Sequence, residues 1–149
     1  MTPPCEPSGV KAYAFRLTPG TDLRRELLAF AARHHLAAAA VVTCVGSLTD
    51  VCLRYANRPD GVTRRGHFEI VSLVGTFAGD AGHLHLAVSD ESGGMSGGHL
   101  LDGCLIYTTA EVVIVELTDL QFDRMRSVAA NGLRLVTSRP PRHWHPGGT

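Results

Sequence analysis

The sequence predicts a single α+β domain in which a mainly antiparallel sheet packs against one main α-helix. Three observations lead to this expectation. One segment, residues 23–34, repeats its apolar side chains at helical spacing. Most other segments alternate apolar and polar residues or are rich in β-branched residues, and short stretches with glycine, proline or asparagine separate them. With 149 residues, the chain is long enough for one hydrophobic core.

The first strand and the helix are predicted near the N-terminus. Residues 1–9 contain three prolines and are expected to form a flexible lead. Residues 10–17 alternate in the manner of a half-buried strand. Thr21 is the predicted N-cap of the helix, and Asp22 follows in the first turn, where its negative charge suits the helix dipole.

Three strands are predicted in the middle of the chain. Residues 40–45 form a continuous apolar run that is typical of a central strand, and residues 51–56 alternate again. The intervening residues 46–50 contain glycine, serine and aspartate, which predicts a turn and therefore a hairpin. Residues 67–77 form the longest strand candidate.

The C-terminal half is predicted to be mostly extended, and its end is predicted to be flexible. After the strand at residues 83–88, the expected elements are strands or extended segments at 104–107 and 110–117, a helical turn at 120–125 and a short strand at 133–136. Residues 138–149 show no periodicity and predict a flexible tail. The folded domain is therefore expected to cover residues 10–137.

Composition argues against several classes of protein. Basic and acidic residues are balanced at 14 each, so net charge provides no attraction for nucleic acid. The N-terminus lacks the basic and apolar regions of a signal peptide, and no uncharged run approaches the roughly 20 residues that span a bilayer. The four cysteines form no Cys-x-x-Cys pair and lie mostly in apolar surroundings, which predicts reduced thiols and a cytoplasmic location.

Three histidines form the strongest candidate for a functional site. In a strand over residues 83–88, the period of two places His83 and His85 on one face. The glycine-rich residues 93–98 can fold back and bring His99 toward this pair. Three imidazoles would hold a divalent metal ion with one coordination position open; zinc is favoured, while copper, nickel and iron are chemically compatible. The alternative is a hydrogen-bonded histidine cluster without a metal.

Several segments together resemble the plants-and-prokaryotes-conserved (PPC) domain family. The resemblance runs from about residue 10 to residue 136. The matching segments are residues 19–23, 46–48, 66–76, 83–85, 97–100, 103–104 and 109–112. It implies a PPC-like α+β domain with a curved, mainly antiparallel sheet that assembles as a homotrimer.

The resemblance also carries implications for function. Stand-alone prokaryotic members of the PPC family carry a His-x-His and Gly-Gly-His pattern that resembles a zinc site, and here this pattern implies His83, His85 and His99 as the ligands. Plant members join the domain to AT-hooks, whose Arg-Gly-Arg-Pro core binds the minor groove. This chain lacks that core. Its absence argues against direct DNA binding and leaves a regulatory or DNA-associated role as a hypothesis.

Two hypotheses for function remain open from the sequence. The first is a trimeric domain that binds a divalent metal, with a small-molecule ligand as a further partner. The second is a zinc-dependent hydrolase or hydratase that uses the same three histidines. An enzyme would need a general acid or base nearby, and the candidates are Glu69 and Glu111, either of which could instead lie on an exposed strand face. Asp90 and Glu91 are interpreted as solvated turn residues.

Overall fold

The computed structural model describes residues 7–79, 81–127 and 132–138. Most of the predicted N-terminal lead and nearly all of the predicted C-terminal tail lie outside these residues. The elements follow the order β1 (Val10–Leu17), α1 (Leu23–Arg33), β2 (Ala39–Arg54), β3 (Val62–Ala78), β4 (Ala81–Asp90), β5 (Met95–Leu100), β6 (Leu105–Leu117), β7 (Gln121–Ser127) and β8 (Gly132–Ser138).

Six of the strands form one antiparallel sheet in the order β1-β6-β2-β3-β4-β5. The end of β2 also pairs with β5, where Leu53 lies opposite Leu100 and Arg54 opposite His99. This additional pairing makes the sheet curl back on itself. Strands β7 and β8 form a separate two-stranded sheet. The predicted α+β class and the mainly antiparallel sheet are confirmed.

Helix α1 covers one face of the sheet. Its buried residues are Leu23, Leu27, Leu28 and Ala31. The N-cap is Asp22, whose carboxylate accepts a hydrogen bond from the backbone N–H of Arg25 at 3.1 Å. The prediction of Thr21 as the cap was therefore wrong by one residue. Aspartate caps a helix as well as threonine does, and Asp22 also accepts from the Gly103 N–H at 2.7 Å, which anchors the helix start.

Strand β2 is one bent strand of 16 residues, so the predicted turn at residues 46–50 is wrong. A Cβ on Gly46 would lie 2.1 Å from the backbone oxygen of Thr109. The glycine therefore permits close passage of β2 against β6. Register shifts between Gly46 and Leu48, and again between Leu48 and Asp50, mark irregularities that bend β2 without ending it. The hairpin partner of β2 is β3.

The helical turn predicted at residues 120–125 is also wrong, because this segment belongs to β7. The Phe122 N–H donates to the backbone oxygen of Ala37 at 2.9 Å. Leu120 and Phe122 are buried in a small cluster with Ala38. These contacts with the segment after α1 hold the chain extended. The strand predicted at residues 133–136 is confirmed by β8.

The core lies between the inner face of the curled sheet and α1. Its largest fully buried side chains include Phe77, Leu48 and Leu86. Because side chains alternate across each strand, burying one face leaves the neighbouring residues on the outer face. No helix in the described part of the chain is long and apolar enough to cross a membrane.

Candidate metal centre

Strand β4 presents two histidines on the outer face of the sheet. Leu84 and Leu86 are buried, whereas His83 and His85 are exposed. This is the alternation that the sequence predicted. On β3, the residues opposite the two histidines are Thr76 and Val74, respectively.

The glycine-rich return brings the third histidine beside this pair. Strand β5 runs antiparallel to β4, and His99 lies directly opposite His85. A Cβ on Gly98 would lie 2.7 Å from the backbone oxygen of Arg54. Glycine at this position therefore allows β5 to fit closely against β2, with His99 on the outer face beside β4.

The turn between β4 and β5 is organised by Asp90. Its carboxylate accepts hydrogen bonds from the Ser92 hydroxyl at 2.6 Å, the Gly94 N–H at 2.9 Å and the Ser92 N–H at 3.0 Å. These bonds, led by that of the Ser92 hydroxyl, lower the pKa of Asp90. Arg64 also pairs with Asp90. Asp90 therefore helps to fix the hairpin that places His99.

The ring nitrogens of the three histidines converge. His83 Nε2 lies 3.1 Å from His85 Nε2, and His85 Nε2 lies 3.1 Å from His99 Nδ1. One ligand atom from each residue falls within 4.8 Å of the other two. Nitrogens bound at about 2.0–2.1 Å to a tetrahedral ion lie about 3.3–3.4 Å apart. The two 3.1 Å distances are close to this value, and they are compatible with a zinc-sized ion.

The nitrogen arrangement is less well suited to a cluster held by hydrogen bonds alone. His85 Nε2 faces a nitrogen on each side, but a ring nitrogen carries either one proton or one in-plane lone pair. His85 Nε2 can therefore make a well-directed hydrogen bond to one of its two neighbours. The short contact with the other nitrogen then contributes little stabilisation. A metal ion at the centre would use all three lone pairs at once.

His99 is further biased toward the neutral form that binds metal. Partial burial lowers its pKa, and the positive charge of Arg54 and the neighbouring imidazoles lower it further. A neutral imidazole retains the lone pair that a metal ion requires. The protein environment therefore favours the ligating state of His99 before any ion arrives.

The structure does not bring the two candidate carboxylates into the histidine group. Glu69 is exposed on β3, opposite Ser47 and Ser89. Glu111 is exposed on β6, opposite Arg16. Among the described residues, the ligand atoms that converge belong to histidines alone. Neither glutamate therefore has the position that the hydrolase hypothesis requires within one chain.

Arg54 is a neighbour of the site that sequence reasoning missed. It lies at the end of β2, directly opposite His99 in the β2–β5 pair. Leu53 and Leu100, the adjacent pair, are both buried, so Arg54 and His99 share the outer face. No local pattern could have identified it, because the pairing joins residues 45 positions apart in the sequence.

Known proteins resemble this chain in sequence and in structure. The bifunctional protein GlmU of Synechococcus sp. (strain JA-3-3Ab) is 38% identical over 151 residues, covering 98% of this chain and 24% of the relative. The chain therefore spans about a quarter of that protein's length. A hypothetical protein of Salmonella enterica, solved by crystallography, is 43% identical, with a TM-score of 0.88 over 90% of this chain and 97% of the other.

A third comparison concerns a protein described as metal-containing. That protein, from Archaeoglobus fulgidus, has a TM-score of 0.72 and 22% identity, and the match covers 87% of this chain and 94% of the other. At this level of identity, the likeness shows a common fold.

The match to a family profile identifies the domain. The profile of the Plants and Prokaryotes Conserved domain, abbreviated PCC or PPC, matches residues 5–118. These residues include α1, strands β1 to β6 and all three histidines. The chain therefore belongs to the Plants and Prokaryotes Conserved domain family.

Proposed function

We propose that this domain binds a divalent transition metal ion through His83, His85 and His99, and that zinc is the ion that best suits the site. The observation that carries the proposal is the convergence of three imidazole nitrogens, with 3.1 Å between successive atoms. The description of the Archaeoglobus fulgidus protein as metal-containing supports the same assignment.

The three histidines would leave the ion open on its outward side. His83 and His85 would bind through Nε2 and His99 through Nδ1, the atoms that converge. All three lie on the outer face of the sheet, so three protein ligands would leave a coordination position for a further molecule. A bound zinc ion would act there as a Lewis acid that polarises an oxygen ligand. The site therefore suits the capture of a small molecule.

Zinc affinity in competition with a chromophoric chelator tests the proposal. We expect one zinc ion per chain in the wild type, and a loss of affinity of at least about 100-fold in each of the variants His83→Ala, His85→Ala and His99→Ala. His67→Ala is the matched control, because His67 is an exposed histidine on β3 that contacts Glu91 instead. Equal affinity in the wild type and in all three site variants would refute the assignment.

We also propose that the domain functions as a homotrimer. Four valines on β2 and β3, each at least 50% exposed, form an outer patch that we call the valine face; its members are Val42, Val45, Val71 and Val74. The register of β2 against β3 is the same at Ala40–Thr76 and at Ser47–Glu69, which brings Val42 level with Val74 and Val45 level with Val71. Contiguous exposed apolar side chains favour contact with another protein surface.

Further copies of this chain are the proposed occupants of the valine face. The PPC resemblance implies a trimer, and the face is continuous with the histidine site because Val74 lies directly opposite His85. Assembly through this face would shield the valines and bring a neighbouring subunit close to the metal site. A neighbouring subunit could then supply side chains that the metal site of one chain lacks.

The proposal does not extend to hydrolysis or to DNA binding. A hydrolase would need a general acid or base beside the metal, and neither candidate, Glu69 or Glu111, belongs to the histidine group. A DNA-associated role is supported by the family resemblance and by a structural neighbour from Bacteroides thetaiotaomicron that is described as a putative DNA-binding protein, but the chain has no net charge to favour it. Metal binding is the function that the described geometry supports best.

A further inference from the structure

One cross-strand row passes through the proposed metal site and ends at a guanidinium group. Val74, His85, His99 and Arg54 lie directly opposite one another across β3, β4, β5 and β2. Directly opposite residues on one face have Cβ atoms about 4.5–5.5 Å apart. Arg54 is therefore the immediate neighbour of a metal ligand, on the side away from His85.

Arg54 differs from most of the arginines whose side chains the structure describes. No carboxylate of the described residues lies within ion-pairing distance of its side chain. The arginines that do form such pairs are Arg24, Arg25, Arg33, Arg64 and Arg65. The hydrogen bond that Arg54 makes is a long one, 3.4 Å from Nη1 to the backbone oxygen of Arg58. Its guanidinium therefore retains donors for another partner.

A cation beside a metal site requires an electrostatic explanation. A divalent ion held by three neutral imidazoles keeps its full charge, and Arg54 adds another positive charge close by. These charges repel one another, which weakens metal binding unless an anion lies between them. An oxyanion could place one oxygen on the metal and accept hydrogen bonds from the guanidinium through another, a geometry that arginine suits well.

We propose that the metal site takes a small oxyanion, a carboxylate or a phosphate group, held between the ion and Arg54. This inference rests on the proposed function, because it requires the metal. It adds the chemical class of the ligand and gives Arg54 the role of a ligand-binding residue. The exposed positions of His83 and His85 leave room for the rest of the ligand on the outer face of the sheet.

The test measures anion binding to protein that has been loaded with zinc and freed of excess metal. Metal content is determined first, and acetate and inorganic phosphate are then titrated separately by calorimetry. We expect at least one of these anions to bind once per metal site. Arg54→Gln should weaken that binding about tenfold or more, since it removes a charged hydrogen-bond donor. Arg54→Lys should give an intermediate loss, because it keeps the charge without the paired donors.

Arg33→Gln provides the matched control, because Arg33 is an arginine on α1 whose partner is Glu26. This variant should bind the anion as the wild type does. Equal anion affinity in the wild type and both Arg54 variants would overturn the inference. A zinc-loaded wild type that binds neither anion would also overturn it. In both cases the proposed metal site itself would stand. A wild type that takes up no zinc would refute the proposed function before any anion is added, and the inference would fall with it.

Discussion

His85 lies directly opposite His99 in the β4–β5 pair, and its Nε2 atom is 3.1 Å from His99 Nδ1. The two strands are therefore in contact through the two nitrogen atoms that a metal ion would bind. The hairpin between them is closed by Asp90, so His99 is held in place before a metal ion binds. A site organised in advance loses less conformational entropy when the ion arrives.

Zinc should raise the thermal stability of the wild type. An ion that binds only the folded state adds about 2.7 kcal/mol at a free concentration 100 times its Kd. For a chain of this length we expect the melting temperature to rise by about 5–10 °C in calorimetry. His85→Ala should show no such rise, while His67→Ala should behave as the wild type does. An equal rise in His85→Ala would place the stabilising ion elsewhere.

A charge in the valine face should dissociate the proposed trimer. Val45→Asp places a carboxylate among side chains that the trimer would bury, and an unpaired buried charge costs several kcal/mol. Sedimentation velocity should therefore show three chains per particle for the wild type and one for the variant.

Val62→Asp is the control for this experiment. Val62 is an exposed valine at the start of β3, outside the valine face. This variant should remain trimeric. A wild type that sediments as a single chain, or a Val45→Asp protein that stays trimeric, would contradict the assembly.

Two of the cysteines should react slowly with alkylating reagents. Burial raises the pKa of the Cys44 thiol to about 11 and that of Cys104 to about 12. Only the thiolate reacts, so a shift of about two units lowers the reactive fraction about 100-fold near pH 8. Mass spectrometry after iodoacetamide treatment should show both sites labelling at least that much more slowly than in guanidinium. Similar rates in folded and denatured protein would contradict the burial of these two thiols.

The pairing of Asp102 with α1 should make stability depend on pH. Its hydrogen bond from Arg24 is the main cause of its lowered pKa, and Arg25 contributes further. The stabilisation is therefore complete above the ordinary aspartate value of 3.8 and is lost as the pH falls from there through the lowered folded-state pKa.

Urea unfolding of Asp102→Asn at pH 6 and pH 3 measures this dependence. At pH 6 we expect the variant to be less stable than the wild type by up to about 1 kcal/mol, because the pair is partly exposed. The difference should shrink at pH 3. Asp60→Asn, in the loop between β2 and β3, serves as the control. A difference that persists unchanged at pH 3 would show that ionisation of Asp102 is not its source.

The clustering of the three histidines could be predicted from the sequence because its determinants are local. The period of two fixes the shared face of His83 and His85, and the glycines before His99 indicate a close return. The structure confirms both expectations, because His83 and His85 are both exposed on β4 and His99 lies directly opposite His85. The strand at residues 67–77 was also correctly predicted, although β3 begins earlier, at Val62.

The features that sequence reasoning missed depend on long-range contacts. Residues 46–50 have the composition of a turn, but the backbone of Gly46 packs against Thr109. Only the folded sheet reveals this close approach. The segment with Phe122 is extended because its backbone bonds to Ala37. Arg54 lies beside His99 only because the sheet curls and pairs β2 with β5. Local propensity contains no information about such pairings.

Anomalous diffraction from crystals grown with zinc would test the central claim most directly. We expect one strong zinc peak per chain at about 2.0–2.1 Å from His83 Nε2, His85 Nε2 and His99 Nδ1. A fourth position on the ion should face outward from the sheet. The claim would be contradicted if zinc peaks appeared only at other residues and the three imidazole rings contacted one another directly, with no ion between them.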